Sequence, residues 1–402
     1  MPPPQEEEAF VPDRQRRLAH VSVPIPVLNN NEIITAVELG HGGFCRVMAV
    51  RDVKVVPRDK VVLTDEDDIS LLVRQKFAKQ FSNYKEAHYS YRHVPGQHLP
   101  RMGDPSKPPK LALKRLKSSL NTKRYELGAN DLNSEVRLLA NLRHPNIITV
   151  YGMGYDSGSA SGHTGRISFV LLDQLRCTLK NKLYMWRERR GMGMFISRSE
   201  LNELWLERTV ILTRIASAVE FLHANGVAHR DLHPHNIGFD SDDTPKLFDF
   251  GLARVVGNKR VPPGTIPSKV GLLDDDDAKY QMTGNTGTLR YMAPEIAFGE
   301  RYGLKVDVYS LAIVFHEVLS LLKPFANVPP TTFTSTVSIK NYRPSIDACW
   351  PDGIKHMMNR MWDGKSANRP PSREIVAVLE SLLRGSDDQL YPKSAIRRIL
   401  TK

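Results

Sequence analysis

The sequence predicts an α+β protein in two parts, with short strands in the first 175 residues and long helices after residue 200. A chain of 402 residues exceeds the size of one typical hydrophobic core, so two lobes or two domains are expected. Short apolar runs bounded by glycine or polar turns occupy the first part, and apolar stripes at helical spacing dominate the second. The apolar fraction of 41% and the charged fraction of 25% are typical of a globular protein.

The formal net charge of +12 favours anionic partners in general. The sequence has no long Lys/Arg block, so a basic solvated surface is the better interpretation, and nucleic acid is not expected as a partner. Cys45, Cys177 and Cys349 show no paired spacing, which argues against disulfides and zinc and fits a reducing compartment. Neither a signal peptide nor an apolar run of ~20 residues is seen. We expect a soluble cytoplasmic protein, with a nuclear location as the alternative, and no membrane contact.

The first part begins with a leader over residues 1–30, which is rich in Pro, Glu and Arg and is predicted to be disordered. Residues 33–53 predict two strands joined by the turn LGHGGFCRV. Its glycines let the backbone approach phosphate oxygens and offer N–H groups to them, and Phe44 at the tip could cap such a site. Residues 56–110 read as a long surface elaboration with a helix at 64–86, which could serve a partner.

A lysine and a glutamate stand on consecutive elements after this elaboration. The apolar strand predicted at 111–116 contains Lys114, and the helix predicted at 130–142 carries Glu135 beside its apolar stripe. A partly buried lysine is far better satisfied by an opposite charge, so we expect the two to pair. Further strands are predicted at 147–152 and 167–172.

The second part is organised around the stretch HRDLHPHNIGFDSDDTPKLFDFG at 229–251, which a strong helix at 200–225 precedes. This stretch supplies a potential proton acceptor, Asp231. It also supplies two oxygen ligands for Mg²⁺, Asn236 and Asp249. The residues that follow have the composition of a loop and lead to the segment GTLRYMAPE. A nearly all-apolar helix is predicted at 302–322, and residues 385–402 form a basic tail.

These segments, taken in order, resemble a eukaryotic protein kinase of the serine/threonine type, in its tyrosine-kinase-like branch. The resemblance implies a two-lobed kinase fold with a small antiparallel-sheet N-lobe and a mainly helical C-lobe. It places the kinase domain at 31–384: the N-lobe at 31–172 with the insertion at 56–110, the hinge at 173–176 and the C-lobe at 177–384. The matching positions are the glycine-rich turn (with Cys45 at its third glycine position), Ala112, Lys114, Glu135, the HRD loop, DFG, APE, Asp307 and Arg369.

The resemblance further implies that ATP and Mg²⁺ bind between the lobes. The implied nucleotide-binding residues are Leu39, Gly40, His41, Gly42, Gly43, Val47, Ala112, Lys114, Leu172, Asp173, Leu175, Asn236 and Asp249, of which Asn236 and Asp249 would ligate the metal. Asp173 and Leu175 would bind adenine through hinge backbone groups, and Leu172 would limit access to a back pocket.

Roles in phosphoryl transfer follow from the same resemblance. Lys114 would hold the α and β phosphates while Glu135 holds Lys114, and Asp231 would accept or orient the substrate hydroxyl proton. Arg230 would meet a phosphorylated residue of the activation segment, and Glu295 would pair with Arg369.

One catalytic position departs from the family pattern. His233 stands where serine/threonine kinases usually have a lysine, and its imidazole donates a hydrogen bond but carries less charge at neutral pH. Thr288 before Tyr291 is typical of serine/threonine-specific members. We therefore predict transfer of the ATP γ-phosphate to Ser/Thr hydroxyls of protein substrates. The alternatives are a pseudokinase scaffold that binds ATP or partners without transfer, a nucleic-acid-binding module and a small-molecule kinase.

Overall fold

The computed structural model describes residues 25–54, 110–155, 167–191, 198–256 and 288–384, together with residue 75. The predicted tail at 385–402 lies outside the described residues, as does the predicted insertion at 56–110 apart from residues 75 and 110. Among the described helices, none has the length and apolar character that a membrane crossing requires.

Five antiparallel strands form one sheet in the first part. They are β1 (Ile33–His41), β2 (Cys45–Val53), β3 (Leu111–Leu116), β4 (Val150–Tyr155) and β5 (Ile167–Asp173), in the spatial order β1-β2-β3-β5-β4. Side chains alternate between the two faces of a strand. Leu111, Leu113 and Leu171 accordingly share an outer apolar cluster, whereas Leu116 and Leu172 join the large core on the inner face.

One helix, α1 (Thr122–Leu139), packs against the inner face of this sheet. The predicted helix at 130–142 was therefore placed too late in the chain. The helix starts at Thr122 because the side chain of Asn121 accepts a hydrogen bond from the Arg124 backbone N–H at 3.0 Å and caps the first turn. The apolar stripe on which the prediction rested begins only later in the helix.

Residues 25–30, which the sequence assigns to the disordered leader, lie along β4. The backbone N–H of Leu28 donates to the carbonyl of Met153 at 2.8 Å, and Leu28 is buried. Gly154 permits this approach, because a Cβ there would stand 2.7 Å from the Leu28 carbonyl oxygen. The prediction of a disordered leader is thus wrong for residues 25–30, because composition does not reveal contacts with a strand that is distant in sequence.

The second part is mainly helical, as predicted. Its helices are α2 (Leu179–Gly191), α3 (Arg198–Ala224), α4 (Pro294–Ala297), α5 (Lys305–Ser320), α6 (Asp352–Met361) and α7 (Ser372–Arg384), and Thr334–Ile339 forms a π-helix. Short strands accompany them: β6 (Cys177–Thr178), β7 (Val227–Ala228), β8 (Ile237–Phe239), β9 (Pro245–Leu247) and β10 (Arg254–Val255). The nearly all-apolar helix is α5, which is buried from Lys305 to Leu319 and forms the centre of this part.

The predicted pairing of Glu295 with Arg369 is confirmed. The two nitrogens of the Arg369 guanidinium donate to the two carboxylate oxygens of Glu295 at 2.6 and 2.8 Å, and Arg369 is only 1% exposed. The pair ties α4 to the segment before α7, so α4 is held against the helical core.

Candidate active site

Four of the predicted nucleotide-binding side chains lie on the inner face of the sheet. Val47 of β2 stands opposite Lys114 of β3, and Leu172 of β5 stands opposite Ala112. Residues directly opposite in an antiparallel pair project from the same face, as do residues two apart along one strand. Val47, Ala112, Lys114 and Leu172 therefore share the face that meets α1 and the second part of the chain.

Lys114 and Glu135 form the predicted ion pair. The Lys114 ammonium lies 2.6 Å from Glu135 Oε2, and the two side chains are 20% and 5% exposed. Burial alone would lower the pKa of Lys114, but attraction to Glu135 and Asp249 outweighs it and raises that pKa. Lys114 is thus a fixed positive charge between a helix carboxylate and the carboxylate of the DFG segment.

The glycine-rich turn between β1 and β2 faces open space. A Cβ added at Gly40, Gly42 or Gly43 would meet nothing within 4 Å, and the Gly42 N–H donates to the Cys45 carbonyl at 2.8 Å to close the turn. Leu39 and His41 are exposed beside these glycines. The turn therefore leaves room for a ligand and presents its backbone to it.

Phe44 does not cap the turn as expected. It is half-buried and packs against the large core, with its Cβ close to Gly128 of α1 and its ring 5.9 Å from the Arg124 guanidinium. The sequence missed this contact because Phe44 and Gly128 are far apart in the chain.

The predicted hinge contains a carboxylate with a structural role that the sequence did not show. Asp173 accepts hydrogen bonds from the Thr149 N–H and the Tyr151 hydroxyl, both at 2.8 Å, and lies 3.3 Å from the Lys246 ammonium. Burial first, and then the Asp173 charge, raises the pKa of Tyr151. Asp173 thus fixes the hinge to β4 and β9 through its side chain, while the adenine contact through its backbone stays a prediction, as does that of Leu175.

Asp231 lies at the meeting point of two segments. Its Oδ2 accepts from Asn236 Nδ2 at 3.0 Å and from His233 Nε2 at 3.3 Å, and its Oδ1 accepts from the Thr288 N–H at 2.9 Å and the Thr288 hydroxyl at 3.1 Å. Burial would raise the pKa of Asp231. The hydrogen bond and charge of His233, the charge of His229 and the Thr288 N–H outweigh burial and hold this pKa below its usual range. Asp231 is therefore an ionised carboxylate at neutral pH.

The hydrogen bonds of His233 define its tautomer. Its Nδ1 accepts the backbone N–H of His235 at 3.2 Å, so the ring proton of the neutral form lies on Nε2 and is donated to Asp231. His233 is buried, and its ring lies 5.9 Å from that of Tyr291. Where a lysine was expected, this position supplies a directed hydrogen bond to Asp231.

Asp307 of α5 holds the backbone of the HRD segment in place. Its carboxylate accepts the backbone N–H groups of His229 and Arg230, each at 2.8 Å, and His223 Nε2 lies 3.1 Å from it. Burial alone would raise the pKa of Asp307, but His223, the charge of His229 and the Arg230 N–H hold it below its usual range. Arg230 has a positive φ of 71°, a conformation that costs about 1–3 kcal/mol and persists where surrounding contacts hold it. The sequence did not identify His223 as part of this anchor.

The DFG segment turns its phenylalanine inward and its aspartate outward. Phe250 is 1% exposed with its ring 4.8 Å from that of His229, whereas Asp249 is exposed and has a φ of 63°. Asn236 commits its amide nitrogen to Asp231, with a second contact to the Asp231 carbonyl at 3.0 Å. The carboxamide oxygen is then the atom that Asn236 can offer a cation, so the Asn236 and Asp249 donor set suits a hard divalent ion.

Arg230 lies next to Leu252, which directly follows the DFG segment. Its guanidinium donates to the Leu252 carbonyl at 3.1 Å and lies 5.5 Å from the Tyr302 ring. Residues 257–287, where its predicted phosphorylated partner would be, lie outside the described residues.

Comparison with known proteins agrees with this geometry. The sequence profile of the protein kinase domain matches residues 105–383. The chain is 31% identical to the serine/threonine/tyrosine-protein kinase HT1 of Arabidopsis thaliana, over 61% of this chain and 53% of the relative. It is 31% identical to the serine/threonine-protein kinase VIK of the same plant, over 68% and 54%. It is 28% identical to the interferon-induced, double-stranded RNA-activated protein kinase of Mus musculus, over 64% and 45%. The chain spans about half the length of these three relatives.

Proposed function

The chain belongs to the protein kinase domain family, and from this premise we propose that it transfers the γ-phosphate of ATP to serine or threonine hydroxyls of protein substrates. VIK is a serine/threonine-protein kinase and HT1 a serine/threonine/tyrosine-protein kinase, which supports this acceptor class. The hydrogen bonds from Thr288 to Asp231 support it from within the chain. We assign the kinase domain to residues 31–384, because β1 and β2 complete the sheet that contains β3.

The observation that carries the proposal is the position of Asp231 between Asn236 and Thr288. One carboxylate oxygen accepts from Asn236, a proposed metal ligand, and the other from the start of the segment that leads to α4. An ionised carboxylate held in this way can accept or orient the proton of an incoming hydroxyl. Asp231 is therefore our proposed base.

Phosphoryl transfer depends mainly on positioning and on charge stabilisation. Lys114, held by Glu135, would bind the α and β phosphates. Asn236 and Asp249 would hold Mg²⁺, which keeps room for phosphate and water ligands and, when bound, neutralises phosphate charge. The nucleotide would lie under the glycine-rich turn, with its base against Ala112 and the other apolar residues of the inner face, and with the hinge backbone at its edge.

The remaining roles are proposals of the same kind. His233 would hold Asp231 in its orientation, and Arg230 would bind a phosphorylated activation segment. A protein partner for the insertion at 56–110 and action in the cytoplasm or the nucleus complete the proposal. A pseudokinase scaffold gains no support from the site, since Lys114, Glu135 and Asp231 are present and paired as transfer requires.

Radiolabelled phosphate incorporation tests the proposal. We expect the chain, with ATP and Mg²⁺, to phosphorylate Ser/Thr residues of a generic basic protein. Asp231→Asn should reduce the rate by about 10²- to 10⁴-fold because it removes the base, and Lys114→Met should reduce it by about 10²- to 10³-fold because it removes a preorganised charge. Binding of ATP·Mg with no incorporation, together with no effect of Asp231→Asn, would instead identify a scaffold.

A further inference from the structure

We infer that Gly128 is a positioning residue for the nucleotide, because it forms a notch in α1 that seats Phe44 and so sets the height of the glycine-rich turn. This inference rests on the proposed function and deepens it. The inference concerns how closely the glycine-rich turn can approach the phosphates. The Lys114–Glu135 pair matters here only because Glu135 lies on the same helix as Gly128.

The notch is defined by a contact that only glycine permits. A Cβ at Gly128 would lie 2.8 Å from Phe44 Cβ, 3.0 Å from Phe44 Cγ and 3.0 Å from Leu116 Cδ2. The first of these atoms is bonded directly to the backbone, so rotation of the Phe44 ring cannot relieve the overlap. Either the turn or the helix has to move.

A glycine in the middle of a helix lowers the stability of that helix, so its presence at position 128 points to a role for the contact with Phe44. Gly128 is buried in the interior of α1, where glycine is less favourable than alanine. A close backbone approach is the usual physical reason to keep such a residue.

The turn is held from the side of β3 as well. The Lys117 N–H donates to the Phe44 carbonyl at 2.9 Å, and the Lys117 ammonium donates to the Gly42 carbonyl at 2.6 Å. The Arg124 guanidinium lies 5.9 Å from the Phe44 ring. Phe44 therefore packs between the end of β3 and the N-terminal part of α1. The position of the glycine-rich turn depends in consequence on the position of α1.

Gly128 and Glu135 act on the same side of α1. They are seven residues apart, so they lie two turns or about 10 Å apart on one face of the helix. Glu135 holds Lys114 at one point, and Gly128 seats Phe44 at the other. A methyl group at Gly128 would lift the turn away from the phosphates or push the helix away from Lys114.

Gly128→Ala tests the inference in the full chain. We expect the KM for ATP to rise about tenfold, the scale of coupling between residues in contact, with a smaller change in kcat. Cys45 follows Phe44 and is only 8% exposed, so its alkylation by iodoacetamide, measured by peptide mass spectrometry against exposed Cys349, should become faster. Gly353→Ala is the matched control: this helical glycine has nothing within 4 Å of an added Cβ, so KM and Cys45 alkylation should not change.

Rescue separates positioning from general damage. Phe44→Gly removes both the ring and the Cβ, and in that background Gly128→Ala should change the KM for ATP by less than about twofold. An equal effect in both backgrounds, or wild-type KM and alkylation in Gly128→Ala alone, would overturn the inference. If Gly128→Ala fails to fold, folding of the double variant supports the inference and its failure to fold refutes it.

The proposed function and this inference fail in different ways. A wild-type chain that incorporates no phosphate refutes the function. Affinity for a fluorescent ATP analogue and the rate of Cys45 alkylation then decide the role of Gly128 without any turnover.

Discussion

The two parts of the molecule each contain a buried glutamate paired with a cation, and the pairs differ in how far they are closed. Lys114 makes one contact with Glu135 and its side chain is 20% exposed. Arg369 makes two contacts with Glu295, and its side chain is fully buried. The open pair can offer its cation to a ligand, whereas the closed pair has no surface left for one. The same chemistry is therefore open to a ligand in the first part and enclosed by packing in the second.

The surroundings of the closed pair reinforce this difference. Arg369 also donates to the carbonyls of Asp363 and Lys305 at 2.9 and 3.0 Å, and the Lys305 ammonium donates back to the Arg369 carbonyl at 2.8 Å. The Arg369 guanidinium lies 5.1 Å from the Tyr309 ring. Removal of one member of so enclosed a group leaves an unpaired buried charge, which is costly.

The largest effect on stability is expected for Arg369→Met. This substitution leaves the Glu295 carboxylate buried without its partner, so the free energy of unfolding should fall by about 3–5 kcal/mol. Urea denaturation followed by tryptophan fluorescence is well suited to the measurement. The four tryptophans, Trp186, Trp205, Trp350 and Trp362, all lie in the second part.

Lys114→Met is the matched control for this comparison. It removes the cation of the open pair, so Glu135 loses one hydrogen bond where Glu295 loses two, and the same fluorescence transition should shift by less than it does in Arg369→Met. A shift as large as that of Arg369→Met would show that the two pairs are equivalent in stability and would break the comparison.

A smaller effect, now on turnover, is expected for His233→Lys. The lysine would place a full positive charge beside Asp231, and charged donors form hydrogen bonds roughly twice as strong as neutral ones, so turnover at pH 7 should rise by about fivefold. His235→Lys adds the same charge at an exposed neighbouring position and serves as the control. An equal or lower rate for His233→Lys would mean that the directed hydrogen bond of the imidazole matters more than charge.

The smallest effect concerns pH and His144, which lies between α1 and β4 and contacts Ser217 and Phe221 of α3. Burial, and secondly the charge of Lys246, lowers the pKa of His144 from 6.5 to about 4. Its Nδ1 accepts the Asn146 N–H at 3.1 Å, and protonation would remove that acceptor. Below pH 6.5 the unfolded chain binds a proton that the folded chain does not, so stability should fall as pH decreases from about 6.5 towards 4.

His144→Asn checks the assignment, since its amide oxygen can replace Nδ1 as acceptor without titrating. The variant should lose part of the slope of unfolding free energy against pH in this window. An unchanged slope would assign the slope to other groups, such as the buried His229.

The order of the chemical groups was accessible from the sequence, because spacing along one loop or strand survives folding. Lys114 pairs with Glu135 and Glu295 pairs with Arg369, as the sequence predicted. Contacts between residues that share no motif were not accessible. The hydrogen bond from the Tyr151 hydroxyl to the Asp173 carboxylate of the hinge is one such contact.

The start of α1 shows a second limit. The apolar stripe locates the buried middle of a helix, but the N-cap at Asn121 lies in polar sequence before that stripe. Gly128 lies before the predicted helix, and the structure makes it a point of contact with Phe44.

The segment along β4 has a consequence for how the protein behaves towards other chains. β4 is an edge strand of the sheet, and its Met153 exchanges backbone hydrogen bonds with Leu28 and Pro26 at 2.8 and 3.1 Å. Unpaired edge strands invite pairing with other molecules and so promote aggregation. The same few residues that composition assigns to a disordered leader thus cover this edge of the sheet, and a polypeptide trimmed to residue 31 would expose that edge to self-association.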